Sequence, residues 1–184
     1  IEFTWDAGDG AGPVAPTPGV VPGRTILSGD DHGVLALHSL SKRSNFAGGR
    51  VGFYAGDRDL VHLLSEVRKH AGLMVPGPMQ DAAVAAFDDD AHVDAQRRRY
   101  WNRLVRVRDV LGELGVSAPL PGGAFYLWVP APDGDAWGFA EHLARTLGIL
   151  VSPGEFYGPE GAGHVRVAVV QPEESIALLD QRVT

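Results

Sequence analysis

The sequence predicts an α/β fold, with a mostly parallel sheet in its first part and a smaller α+β arrangement at its end. Three observations point there. Val34-Leu35-Ala36-Leu37-His38 is a short apolar run of the kind a buried parallel strand uses. Helical periods follow it over residues 57–70 and 91–114. After Gly115 the pattern changes to strand, helix, strand, strand, helix. The domain boundary is expected within the long helix, dividing residues 1–95 from 96–184.

Each element has its own signal. Ile1-Glu2-Phe3-Thr4-Trp5 begins without Met and reads as the end of a strand, so the sequence is expected to be a fragment. Residues 7–23 are rich in Gly, Pro and Ala without any period, which reads as a solvent-exposed loop. Residues 50–55 read as a second strand, with Gly52 and Gly56 at close-approach positions. In 57–70, Leu60, Val61, Leu63, Leu64 and Val67 give a helical stripe, which Met74-Val75-Pro76-Gly77-Pro78 interrupts. Pro78 suits the first turn of a helix ending near Phe87. Asp90 is placed to cap the longest helix, on which Tyr100, Leu104, Val107, Leu111 and Leu114 share a face. Gly115 suits its stop. Beyond it, 124–129 reads as an aromatic strand and 137–147 as a helix closed by Gly148. Residues 149–151 and 165–170 read as strands. Residues 172–183 read as a final helix, with Pro172 in its first turn and Glu173 and Glu174 complementing the dipole.

Composition excludes several functions. A formal charge of −7 with no basic tail disfavours nucleic acid as a partner. The absence of cysteine excludes disulfides, thiolate metal sites and a cysteine nucleophile. The seven histidines show neither HxH nor HExxH spacing, so no metal site is expected. No apolar run is long enough to span a membrane. GxSxG, P-loop and GxGxxG patterns are all absent.

Chemistry concentrates in Ser39-Leu40-Ser41-Lys42-Arg43-Ser44-Asn45-Phe46-Ala47-Gly48-Gly49-Arg50-Val51-Gly52. A lysine at a loop is ordinarily a surface lysine. Here its neighbours change that reading. Ser39 and Ser41 supply hydroxyls, and Arg50 lies eight residues on, where a tight loop can return it beside Ser39. A guanidinium pairs two phosphate oxygens in its own plane while serine hydroxyls take the remaining lone pairs. Gly48 and Gly49 allow the loop to turn closely. Lys42 is one of only two lysines and is placed to bond an aldehyde cofactor. Taken by itself, Arg166 in His164-Val165-Arg166-Val167-Ala168-Val169 reads more readily as a solvated arginine on an alternating strand.

Ser-x-Ser-Lys, with Arg eight residues beyond the lysine and then x-Gly, resembles the cofactor-lysine motif of fold-type-I pyridoxal-phosphate aminotransferases. Pro121-Gly122-Gly123-Ala124-Phe125-Tyr126-Leu127-Trp128 resembles that family's entry into the small domain. Gly148 to Gly158, with Ser152-Pro153-Gly154, followed by Gly163-His164-Val165-Arg166-Val167, resembles the segment bearing its substrate-carboxylate arginine. Three motifs in order make the resemblance specific, and it covers nearly everything after the initial loop. Within the family, His38 to Asn45 and Arg68 to Pro76 most resemble actinobacterial N-succinyldiaminopimelate aminotransferases.

The resemblance implies the rest of a large pyridoxal-phosphate-binding domain followed by a small C-terminal domain. It implies that Lys42 bonds the cofactor aldehyde and then shuttles a proton between substrate Cα and cofactor C4′. Ser39, Ser41 and Arg50 would hold the phosphate, and Arg166 the substrate α-carboxylate. Implied partners are an amino acid and a 2-oxo acid, in a cytoplasmic homodimer. The family's remaining cofactor contacts fall ahead of Ile1, among them an aspartate on the pyridinium nitrogen, so these residues alone are expected to be inactive. A C–S lyase of the same fold and a noncatalytic cofactor-binding regulator remain alternatives. Arg68 and Lys69 are candidates for a distal carboxylate, against the plainer reading of a solvated helix end.

Overall fold

The computed structural model describes residues 26–183. The strand end expected at residues 1–5 and the loop expected at 7–23 lie outside the described residues. The described residues form two compact units that meet in sequence between Gln96 and Arg97.

In the first unit the strand β1 (Leu35–Ser39) leads into a one-turn helix α1 (Leu40–Arg43), a 3-10 turn at Ala47–Gly49 and the strand β2 (Gly52–Gly56). Two further helices follow, α2 (Arg58–His70) and α3 (Gly77–Phe87), and then the long α4 (Ala91–Glu113) begins. β1 and β2 pair antiparallel, from Leu35 opposite Gly56 to Ser39 opposite Gly52. The strand expected at 34–38 is present, but its pairing with β2 is antiparallel rather than parallel. Only residues 40–51 join the two strands, with a single helical turn among them, which is at the short limit for a parallel crossover. β1 is also only half covered, and Leu37 is 77% exposed. The small core beneath is Leu40, Val51 and Ala83, with Phe46, Val75, Ala86 and Phe87 packed on it.

α2 and α3 stand where the periodicity predicts them. Asp57 caps α2 by accepting from the N–H groups of Asp59 and Leu60, at 2.8 and 3.2 Å. At α4 Asp90 holds the expected cap position, its carbonyl accepting the Asp94 N–H at 2.9 Å, but the side-chain acceptor comes from the residue before it. Asp89 takes the Ala91 N–H at 2.9 Å, while the Asp90 carboxylate turns to Arg43.

The second unit takes the rest of α4, then β3 (Tyr126–Pro130), α5 (Ala136–Thr146), β4 (Ser152–Pro153), β5 (His164–Ala168) and α6 (Glu173–Ala177). β5 is central in an antiparallel sheet of order β3-β5-β4. Leu104, Val107 and Leu111 of α4 are buried, as are Leu127 and Val129 of β3 and Val165 and Val167 of β5. Tyr100 stacks on Phe125 at 4.8 Å. Arg103 and Arg106 pair with Glu173, and Arg106 also pairs with Asp180, which ties α4 to the C-terminal segment.

Two boundaries differ from expectation. Residues 149–151 form no strand, since Leu150 is 93% exposed and pairing with β5 begins only at Ser152. The final helix stops at Ala177, after which the chain tightens into i→i+3 turns such as Leu179 N–H to Ile176 O.

Candidate functional site

The first candidate cluster sits on the connection that closes the β1–β2 pair. Ser39 ends β1 and caps α1, with its Oγ accepting the Ser41 N–H at 3.1 Å. The Ser39 hydroxyl also donates to the Ser41 hydroxyl at 2.9 Å. Lys42 follows on the same turn and is exposed. The buried side chain of Leu40 anchors this turn.

Arg50 is returned to this end of the hairpin by the backbone. Leu40 N–H donates to Val51 O at 3.2 Å, and Gly52 lies opposite Ser39. The approach is close: a Cβ on Gly52 would stand 2.2 Å from His38 O, so only glycine closes the pair here. Arg50 itself has φ +50°, a left-handed conformation uncommon for a residue with a Cβ. Its Nη1 donates to Ala47 O at 3.1 Å. The sequence thus anticipates the return of Arg50, while its guanidinium is held by its own turn rather than by Ser39.

Two hydroxyls and a guanidinium suit the oxygens of a phosphate monoester, and an exposed primary amine suits an aldehyde. The donor set Ser39, Ser41, Arg50 and Lys42 therefore fits pyridoxal phosphate in chemical kind. His38 is packed, its ring stacked on Phe53 at 5.0 Å.

The second cluster belongs to the second unit. Arg166 is the central residue of β5, opposite Trp128 of β3 on one side and Ser152 of β4 on the other. Its guanidinium carbon lies 4.6 Å from the ring centres of both Tyr126 and Tyr157. Its Nε is buried without a hydrogen-bond partner, and so is His164 Nδ1. Leaving a buried donor unpaired costs about 1–3 kcal/mol, which marks Arg166 as a group arranged for an acceptor. Trp128 stacks on His164 at 5.3 Å and meets Tyr157 edge-on at 5.9 Å.

Phe125 is core, as its type suggests, but Tyr126 and Trp128 line the arginine's surroundings. The contact of Arg166 with both tyrosines is not visible in the sequence. Tyr126 is two residues before Trp128 on an alternating strand, and Tyr157 sits in a 3-10 turn whose position relative to β5 no periodicity records. Arg68 turns onto its own helix end, donating to Leu73 O at 3.2 and 2.9 Å, and Lys69 pairs with Glu66.

Glycine shapes this second cluster too. A Cβ on Gly154 would stand 2.1 Å from Gly161 O and 2.8 Å from the Trp128 ring. Gly154→Ala is expected to destabilise the protein by about 1–3 kcal/mol through forced displacement of backbone. Thermal denaturation checks this, and an unchanged Tm would show that the turn absorbs the methyl group.

The sequence matches the family Aminotransferase class I and II over residues 9–181. Among relatives, it is 48% identical to a probable aminotransferase of Mycobacterium tuberculosis over 164 residues, 87% of this chain and 38% of that protein. It is 44% identical to the 4-dedimethylamino-4-oxo-anhydrotetracycline transaminase OxyQ of Streptomyces rimosus over 184 residues, all of this chain and 48% of that one. It is 30% identical to an LL-diaminopimelate aminotransferase of Dehalococcoides mccartyi over 144 residues, 77% of this chain and 37% of the other. An aminotransferase structure from Neisseria meningitidis superposes with a TM-score of 0.73 at 34% identity, covering 84% of this chain and 40% of that one. The chain therefore spans under half the length of these proteins. Members of the family depend on pyridoxal phosphate. The chain belongs to the aminotransferase class I and II family.

Proposed function

We propose that this chain is the Lys42-bearing part of a pyridoxal-phosphate-dependent aminotransferase that exchanges an amino group between an amino acid and a 2-oxo acid. The observation that carries the reading is the Ser39–Ser41 hydroxyl pair, 2.9 Å apart, on the same turn as an exposed Lys42. In this reading residues 1–95 belong to the large domain and 96–184 form the small one; the break between Gln96 and Arg97 supports that division.

Each residue has a task its chemistry suits. Ser39, Ser41 and Arg50 hold the phosphate. Lys42 attaches the cofactor through its amine and, once released, moves a proton at the substrate Cα. Pyridoxal phosphate, when bound, supplies an electron sink for the bond broken at Cα. Arg166 takes the substrate α-carboxylate in the plane of its guanidinium, which aligns the Cα–H.

The proposed substrate pair is N-succinyl-LL-2,6-diaminopimelate with 2-oxoglutarate, glutamate being the amino donor in reverse, in lysine and diaminopimelate biosynthesis. The motif from His38 to Asn45 and the relatives named for LL-diaminopimelate support it. The match to OxyQ along the whole chain favours a second reading, amination of a bulky polycyclic ketone. The proposed assembly is a cytoplasmic homodimer. No helix among the described residues is long and apolar enough to cross a membrane.

Half-reaction products test the proposal. The full-length protein loaded with pyridoxal phosphate and given glutamate should yield 2-oxoglutarate and pyridoxamine phosphate. Ammonia and pyruvate from a β-substituted amino acid, without amino transfer, would make it a lyase. Turnover of N-succinyldiaminopimelate against a polycyclic ketone acceptor then separates the two substrate readings.

A further inference from the structure

α1 has a single turn, too short to hold its shape by its own hydrogen bonds. What fixes it on the Lys42 side is a set of contacts from the next two residues to the end of α3 and the start of α4. The Arg43 side chain is only 11% exposed. Its Nη1 donates to Ala86 O at 2.6 Å, and its guanidinium lies 5.0 Å from the Phe87 ring centre. Ala86 O is among the last carbonyls of α3, which lack partners within the helix, so Arg43 both satisfies that carbonyl and meets the negative end of the helix dipole. Its Nη2 reaches Asp90 Oδ1 at 2.5 Å. Asp90 is 84% exposed, so this pair adds orientation more than energy.

Ser44 supplies a second point of attachment. His92 Nε2 lies 2.9 Å from the Ser44 hydroxyl, and His92 Nδ1 lies 3.0 Å from Asp89 Oδ2. Hydrogen bonds from His92 and from the Ala91 N–H hold the Asp89 carboxyl below the usual carboxylate range. The His92 ring thus bridges the Asp89 carboxylate and the Ser44 hydroxyl. Arg43 and Ser44 are therefore tied to two different segments, while Lys42, adjacent on the helix, points outward.

We infer that Arg43 and Ser44, with Ala86 O, Asp90 and His92 as their partners, form a two-point clasp that positions Lys42 for its proton transfer. This deepens the aminotransferase reading and rests on it. Arg43 and Ser44 touch neither substrate nor cofactor in this scheme; they act by fixing the backbone that carries the amine. Misplacement of a reacting group by about 1 Å costs as much as 10²-fold in rate, so holding a one-turn helix still has a measurable consequence.

The test uses the full-length protein loaded with pyridoxal phosphate. Arg43→Leu removes the donors and keeps the apolar stem over Phe87. It is expected to lower kcat about tenfold with KM within about twofold, because orientation of the lysine and not substrate binding is lost. Amide hydrogen exchange across residues 40–46 should speed up in the same variant, and Arg43→Lys should recover part of both changes. A wild-type kcat, or a slower kcat with wild-type exchange, overturns the clasp. If Arg43→Leu does not fold, His92→Ala carries the test, with a loss of about threefold in kcat and faster exchange at Ser44 expected and no change in either overturning it. Lys42→Ala separates the two levels. Retention of the visible cofactor absorbance there sinks the aminotransferase reading; its loss, beside an unaltered Arg43→Leu, sinks the clasp alone.

Discussion

Lys42→Ala in the full-length protein is expected to abolish the visible absorbance of bound pyridoxal phosphate and to lower turnover by at least about 10⁴-fold. Two functions are lost together. The amine is the only group on α1 able to bond an aldehyde, and in the proposed reaction it is also the base that moves the Cα proton. Nothing nearby replaces it: the chain has no cysteine, and its one other lysine, Lys69, is paired with Glu66 at the end of α2. Folding should survive. Lys42 is exposed, and the contacts that shape its turn belong to Ser39, Leu40, Arg43 and Ser44, so Tm should move by no more than a degree or two. Lys42→Arg is an informative companion, because a guanidinium keeps the charge but neither bonds the aldehyde nor releases a proton near neutrality. Turnover within tenfold of wild type in Lys42→Ala, with absorbance retained, would remove Lys42 from the chemistry.

The elements around this lysine were legible for local reasons. The stripe of α2, Pro78 in the first turn of α3 and the apolar face of α4 are all short-range signals, and the structure follows them. That Ser39, Ser41, Lys42 and Arg50 share one connection was legible because they lie close together in sequence. What escaped depends on pairing over distance. An apolar run marks residues 34–38 as a strand but is silent on its partner, and the antiparallel pairing goes with the short connection over residues 40–51. Residues 149–151 look like a strand by composition, yet strand formation needs an edge to pair with, and β5 offers that edge at Ser152. Arg43 illustrates the same limit. In the sequence it reads as one more cation, and its contact with Ala86 O, 43 residues on at the end of α3, appears only in the fold.

Arg166→Leu is expected to raise KM for the amino-acid substrate about 10²-fold and to lower kcat about tenfold, with the cofactor absorbance intact. The size follows from the geometry. A bidentate guanidinium–carboxylate contact comprises two charge-assisted hydrogen bonds, each worth about 1.5–3 kcal/mol, and part of that energy aligns the Cα–H. The guanidinium carbon lies 4.6 Å from the ring centres of both Tyr126 and Tyr157, so two aromatic rings border the group that would meet the carboxylate. The unpartnered Nε shows that the fold itself does not consume this group. A structural arginine would behave differently, since its removal would reduce stability and leave KM alone. Leucine fills the space between the rings without a buried charge, so the variant should fold, and thermal denaturation checks that directly. Arg166→Lys discriminates further. A point charge on a flexible stem loses both the fork and the stacking, so it should recover little of the KM despite keeping the charge. Full recovery by lysine would mean that Arg166 acts by charge alone, and a KM within twofold of wild type in Arg166→Leu would place the carboxylate site elsewhere.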